Sequence, residues 1–126
     1  MYSHVMVGSN DIERSKQFYD ATFGALGGNP GMQDDKGRLI YMHNGGIFLV
    51  TPPIDGQPAT HANGGTIGFA MDSNEQADAW HKAGVEAGGT AIEDPPGVRE
   101  SGMGDLYLAY LRDPDGNKLC ALRRIG

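Results

Sequence analysis

An imidazole near the start of the chain and a thiol near its end, His4 and Cys120, are the side chains best suited to chemistry. A histidine at a strand start can serve as a general base or anchor a ligand, because imidazole ordinarily titrates near neutrality. Cys120 is the single cysteine, which excludes an intramolecular disulfide and fits a reducing, cytoplasmic setting. As a thiolate it would be a nucleophile or a soft metal ligand; as a thiol inside a strand it is a small buried hydrophobe. Arg99 sits in the loop from Pro95 to Gly102, and its guanidinium is suited to clamp a carboxylate. Tyr41, Phe48 and Tyr107 fall on strand-like runs, and aromatic walls of that kind suit a planar or apolar ligand. Asp113 and Asp115 resemble a calcium loop only superficially. With Pro114 and Gly116 they are what a tight turn requires.

The elements that must position these groups are legible from periodicity. Tyr2 to Val7 reads as a strand, and Ser9 or Asn10 can cap a helix beginning near Asp11. Within that helix Ile12, Ser15, Phe18, Tyr19, Thr22, Phe23 and Leu26 recur at three- and four-residue spacing. Asp11 and Glu13 occupy the first turn, where the helix dipole favours negative charge. Gly27-Gly28 ends it, glycine being suited to the left-handed C-cap. A short strand near Met32 to Asp35 precedes two more, Arg38 to His43 and Ile47 to Thr51, joined at the tight-turn dipeptide Asn44-Gly45. Pro52-Pro53 stops the sheet.

The same order then repeats. Thr66 to Met71 is a strand, followed by a helix capped by Asp72, Ser73 or Asn74 and closed at Gly88-Gly89. Thr90 to Glu93 is a short strand. Leu106 to Arg112 and Lys118 to Leu122 form the last hairpin, turned by Asp113-Pro114-Asp115-Gly116. The expected fold is α+β, two βαβββ modules forming a curled mixed sheet around a cleft. Module one covers about 1–53, a linker about 54–64 and module two about 65–126, all one domain. Aligning the halves sets His4 opposite Thr66 and Phe48 opposite Cys120.

Composition narrows the partners. The net charge of -6 comes without a basic cluster beyond Arg123-Arg124, which argues against nucleic acid. No apolar run approaches the roughly 20 residues of a membrane helix, so no membrane partner is expected. The first residues alternate like a strand and lack a basic start, so no signal peptide is expected.

The segments His4-Val5-Met6-Val7, Asp11-Ile12-Glu13-Arg14-Ser15-Lys16-Gln17-Phe18-Tyr19 and Arg112-Asp113-Pro114-Asp115-Gly116-Asn117-Lys118 resemble the vicinal oxygen chelate superfamily. That group holds glyoxalase I, bleomycin-resistance proteins and extradiol dioxygenases. The resemblance covers essentially the whole chain and implies paired βαβββ modules, a homodimer and a ligand cleft within the curled sheets. Members resembling glyoxalase I hold a divalent metal through four side chains, two per module. By resemblance those positions fall on His4, Phe48, Thr66 and Cys120. Only His4 matches, and Phe48 cannot ligate.

The expectation is therefore a small-molecule-binding homodimer with no cofactor, in which Phe48 fills the space of the metal. The expected cleft residues are His4, Tyr41, Phe48, Thr66, Arg99, Tyr107 and Cys120, with His4 the candidate catalytic group. Two alternatives stand beside it. One is a divalent-metal-dependent lyase or isomerase of glyoxalase type. The other is a non-catalytic sequestering protein of bleomycin-resistance type, for which negative charge suits a cationic guest.

Overall fold

A computed structural model describes residues 1–125. Strand β1 (Val5–Gly8) leads to helix α1 (Ile12–Ala25), then to β2 (Met32–Gln33), β3 (Leu39–His43) and β4 (Gly46–Thr51). The order recurs as β5 (Ile67–Ala70), α2 (Asn74–Glu86), β6 (Thr90–Ala91), β7 (Gly97–Arg99), β8 (Leu106–Arg112) and β9 (Lys118–Arg124). The first set forms a sheet in the order β1-β4-β3-β2, and the second a sheet in the order β5-β9-β8-β6 with β7 also on β8. Each module's first strand lies parallel to its last, and the other pairings are antiparallel. This is the α+β architecture expected from the repeat, with one addition: module two carries an extra strand, β7, paired on β8.

Local chemistry explains the boundaries. Asp11 caps α1 by accepting from the Arg14 N–H at 3.1 Å, in place of the Ser9 or Asn10 expected. Ser9 instead accepts the Asp11 N–H at 3.1 Å and meets the Ser15 hydroxyl at 2.6 Å. Ser73 caps α2 through the Gln76 N–H at 3.0 Å, and the Gln76 side chain returns to the Asp72 N–H at 2.7 Å. That reciprocal exchange satisfies donors that the first helical turn leaves unpaired. The first strand starts at Val5, so Tyr2, Ser3 and His4 lie outside it. The Pro95–Gly102 loop is partly a strand, β7.

The helices pack against each other and against the sheets. Phe18, Tyr19 and Phe23 from α1 meet Tyr41, Phe48 and Val50 from module one and Trp80, Leu111 and Leu119 from module two in one core. Close approach at the second helix end depends on glycine. A Cβ at Gly89 would lie 2.5 Å from the Phe18 ring, 2.8 Å from the Gly84 carbonyl and 3.0 Å from the Arg112 carbonyl. Two of those three neighbours are backbone and cannot swing away. Gly89→Ala is expected to cost about 1–3 kcal/mol of stability, read from urea unfolding.

The sequence-distant motifs Asp11–Tyr19 and Asp113–Asn117 meet in a polar network. Tyr19 donates to Asp113 Oδ2 at 2.5 Å, Asn117 Nδ2 donates to the same oxygen at 2.8 Å, and the Asp115 and Asn117 N–H groups donate to Asp113 Oδ1. Asp115 accepts from the Asn10 N–H, Arg14 and Ser15 at 2.8, 3.0 and 3.1 Å. The last hairpin turn of module two thus fastens the first helix of module one. The turn reading holds: the Asp113 and Asp115 oxygens are spent on chain donors.

A second polar tie joins α1 to β3. Asp20 accepts from Lys16, from the Gly31 N–H at 2.9 Å and from the Tyr41 hydroxyl at 2.7 Å. Burial pushes the Asp20 carboxyl up, but these donors outweigh it and hold it below its ordinary value. Burial, reinforced by Asp20, pushes the Tyr41 phenol well up. A carboxyl depressed on folding contributes stability above its unfolded value near pH 4, lost as pH falls through the folded one. A phenol raised on folding contributes stability below about pH 10, lost as pH rises. Urea midpoints across pH should therefore fall at both ends. Asp20→Asn should flatten the acid limb, and an unchanged limb would contradict this assignment.

Candidate functional site

Strand register sorts the side chains onto two faces. Val5, Phe48 and Tyr41 are aligned partners across β1, β4 and β3, and aligned residues point to one side of a sheet. That side is the helix side: the Phe48 ring lies 4.9 Å from Tyr19 and 5.8 Å from Phe23, and Tyr41 stacks on Phe23 at 4.8 Å. The opposite, helix-free face carries the row Met6, Leu49, Ile40 and Met32, beside which Ile47 and Met42 form a second. Met6, Met32, Met42 and Ile47 are 40%, 58%, 60% and 39% exposed. A contiguous apolar patch of this kind is what a binding surface presents.

The expected site residues divide accordingly. Phe48 and Tyr41 belong to the aromatic core on the helix side, so Phe48 does not fill space on the helix-free face. Tyr107 is aligned with Val98 and Arg123 and donates to Asp78 of α2 at 2.6 Å, again toward the helices. Cys120 pairs with Gly68 and Tyr110 on the helix-free face of module two. Burial pushes its thiol up, and the nearby Tyr110 hydroxyl only partly offsets this. It is a poor thiolate. Arg99 donates to the Asp94 and Pro95 carbonyls at 3.0 and 2.9 Å, which closes its own loop. His4 is exposed just before β1, its Nδ1 2.8 Å from the Ser3 hydroxyl.

Strands β1 and β5 are the free edges of their sheets, and residues of both line two cavities between the modules. One cavity, of about 290 Å³, is lined by Met6, Gly8, His61, Thr66 and Lys118 among others. The other, of about 250 Å³, is lined chiefly by Phe23, Tyr41, His43, Phe48, Gly68 and Phe69. Thr66 thus meets Met6 in the first, and Tyr41 and Phe48 share the second. His4, Arg99, Tyr107 and Cys120 line neither. The residues missed by sequence reasoning are Ile40, Met42, Ile47 and Leu49. The two-residue turn Asn44-Gly45 fixes the register that pairs Tyr41 with Phe48 and puts these four on the opposite face, but not which face meets the helices.

Comparison with known proteins agrees with this architecture. A model of the Glyoxalase/Bleomycin resistance protein/Dioxygenase superfamily matches residues 2–121. The chain belongs to that superfamily. It is similar to a glyoxalase/bleomycin resistance protein from Albidiferax ferrireducens T118, at 60% identity over 98% of this chain and 99% of that one, with a TM-score of 0.95. More distant likenesses, of fold alone, include a family enzyme from Burkholderia phytofirmans PsJN (19% identity, 98% of each chain, TM-score 0.75). Another is a lactoylglutathione lyase from Agrobacterium tumefaciens (17% identity, 98% of this chain and 92% of that one, TM-score 0.68). No curated protein matches the sequence.

Superfamily membership raises the divalent metal, and the donor set here does not fit one. A closed site needs about four nitrogen, sulfur or carboxylate ligands, or three and water. Of the four positions implied, Phe48 has no donor and points into the core, Thr66 offers a hydroxyl, and the Cys120 thiol is raised by burial. Moving one residue along β4 meets only Ile47 and Leu49. Among the described residues no group of three His, Cys, Asp or Glu side chains converges.

Proposed function

We propose that this protein binds a small, largely apolar organic molecule over the helix-free face of its sheets, in a cleft completed by a second copy and without a metal. The observation that carries this reading is the pair of apolar rows, Met6-Leu49-Ile40-Met32 and Ile47-Met42, left uncovered within one chain. Methionine is unbranched and polarizable, so such a surface adapts to guests of varied shape. Burying apolar area at roughly 25 cal/mol per Å² supplies the driving force. His4 is exposed just ahead of β1, where its imidazole is available to donate to or accept from a ligand's polar group.

The test pairs metal analysis with a ligand screen. Protein purified without chelator, then offered nickel, zinc, iron and manganese, should take up well under one ion per subunit. Apolar and aromatic compounds should raise its melting temperature, and any turnover of the compound bound should vanish in His4→Ala. One tightly held ion per subunit would overturn the metal-free reading. Stabilisation by none of the apolar compounds would overturn the cleft itself.

A further inference from the structure

The two ends of the gap between β1 and β5 are built alike but finished differently. Ser9 N–H donates to the Thr51 carbonyl and Met71 N–H to the Leu122 carbonyl, both at 2.9 Å. Backbone groups alternate sides along a strand, so Met6 and Gly8 on β1, and Gly68 and Ala70 on β5, turn their N–H and C=O groups to the free edge. At the β8–β9 end the five residues Asp113–Asn117 separate the strands, and Asn117 Nδ2 reaches across to the Gly8 carbonyl at 3.2 Å. At the β3–β4 end only Asn44 and Gly45 separate the strands. That turn is three residues shorter and has no counterpart to Asn117. A cavity lies at both ends, and the one at the β3–β4 end, of about 250 Å³, is the one walled by aromatic side chains.

The geometry points to this cavity as a second ligand site, distinct from the helix-free face, for a monocyclic aromatic molecule carrying one short hydrogen-bonding group such as an amide. Its walls are aromatic: Phe69 lies 5.6 Å from both Phe23 and Phe48, edge-on to each, and Tyr41 stacks on Phe23. Edge-on and offset contacts of this kind extend readily to one more ring. An apolar cavity of about 150 Å³ holds benzene, so the larger volume here has room for a substituted ring. The polar group is prescribed by β5. The Gly68 and Ala70 backbone groups line the cavity at the free edge of β5, and a guest that displaces water from them must replace its hydrogen bonds. An amide offers donor and acceptor together, as a neighbouring strand would.

Gly46 supplies the control. It has the side of β4 that Phe48 has and lines the cavity, while a Cβ added there would meet only the His43 carbonyl, at an ordinary 3.5 Å. Gly46→Leu therefore fills the mouth without touching the helix-free face. Benzamide titrated into the isotope-labelled protein should shift the Gly68 and Ala70 amides saturably, with ring proton contacts to Phe48 and Phe69. Gly46→Leu should weaken binding about tenfold or more, and toluene, lacking the amide, should bind the unaltered protein several-fold more weakly. Saturable shifts confined to Met6, Met32 and Met42, or no saturation, would overturn the site. Equal affinity for toluene would overturn the role of the strand edge. If Gly46→Leu does not fold, the ring contacts in the unaltered protein decide the question alone.

Discussion

Asp113→Ala is expected to lower stability by about 3–5 kcal/mol, leaving its buried neighbours without partners. Tyr19 and Asn117 are 1% and 6% exposed, and both side chains donate to Asp113 Oδ2. An unsatisfied buried donor costs about 1–3 kcal/mol, and the truncation creates two. The Asp113 Oδ1 acceptor for the Asp115 and Asn117 N–H groups is lost as well, which loosens the turn. Against a total stability of about 5–15 kcal/mol this is a large fraction. For a chain of this length the melting temperature should fall by about 10–20 °C. Asp113→Asn, which keeps one carbonyl oxygen, should lose clearly less. Tyr19→Phe removes a single hydrogen bond to a carboxylate and should cost about 1.5–3 kcal/mol. A double-mutant cycle between Tyr19 and Asp113 should then show strong coupling, since the two groups share one contact. A loss below about 1 kcal/mol for Asp113→Ala would mean that the turn holds its shape without the network.

That network also explains what was legible in the sequence. Asp11, Ser15 and Tyr19 lie at helical spacing on one face of α1, and Asp113, Asp115 and Asn117 are the residues of a tight turn; each pattern has a local cause. The element order, the helix ends at Gly27 and Gly88, and the Asn44-Gly45 hairpin follow from such local rules. The faces of the strands do not. Runs such as Leu39-Ile40-Tyr41-Met42 and Ile47-Phe48-Leu49-Val50 are apolar on both sides, so alternation alone gives no indication of which side meets a helix. Phe48 and Tyr41 were placed in the cleft for that reason. Phe48 and Tyr41, 5% and 3% exposed, lie on the side that meets the helices, while Met42 and Ile47 are open. The partners of Arg99 are carbonyls of its own loop, which only the path of that loop reveals.

The double substitution Met42→Asp with Ile47→Asp is expected to turn the proposed dimer into a monomer, weakening self-association by at least about 100-fold, or roughly 2.7 kcal/mol. The two residues face each other directly across the β3–β4 ladder, so the change sets two carboxylates side by side at the hairpin end of the apolar rows. Burying them against a second copy would require removing both from water without a partner, and that penalty exceeds the apolar area lost. Within one chain the cost is small, because Met42 and Ile47 are 60% and 39% exposed and contribute little to the core. Like charges directly opposite on a sheet face destabilise it by a few tenths to about 1 kcal/mol. Sedimentation velocity should show the change in mass, and urea unfolding should lose its dependence on protein concentration while keeping most of its midpoint. The separation of the two readouts is the point of the experiment. A monomer that remains folded assigns the helix-free face to self-association, and its loss of affinity for apolar compounds would place the ligand on the same surface. A variant that still dimerises would show that the copies meet elsewhere. The apolar rows would then have to be covered by the ligand alone, which a small molecule cannot do for strands spanning from Met6 to Met32.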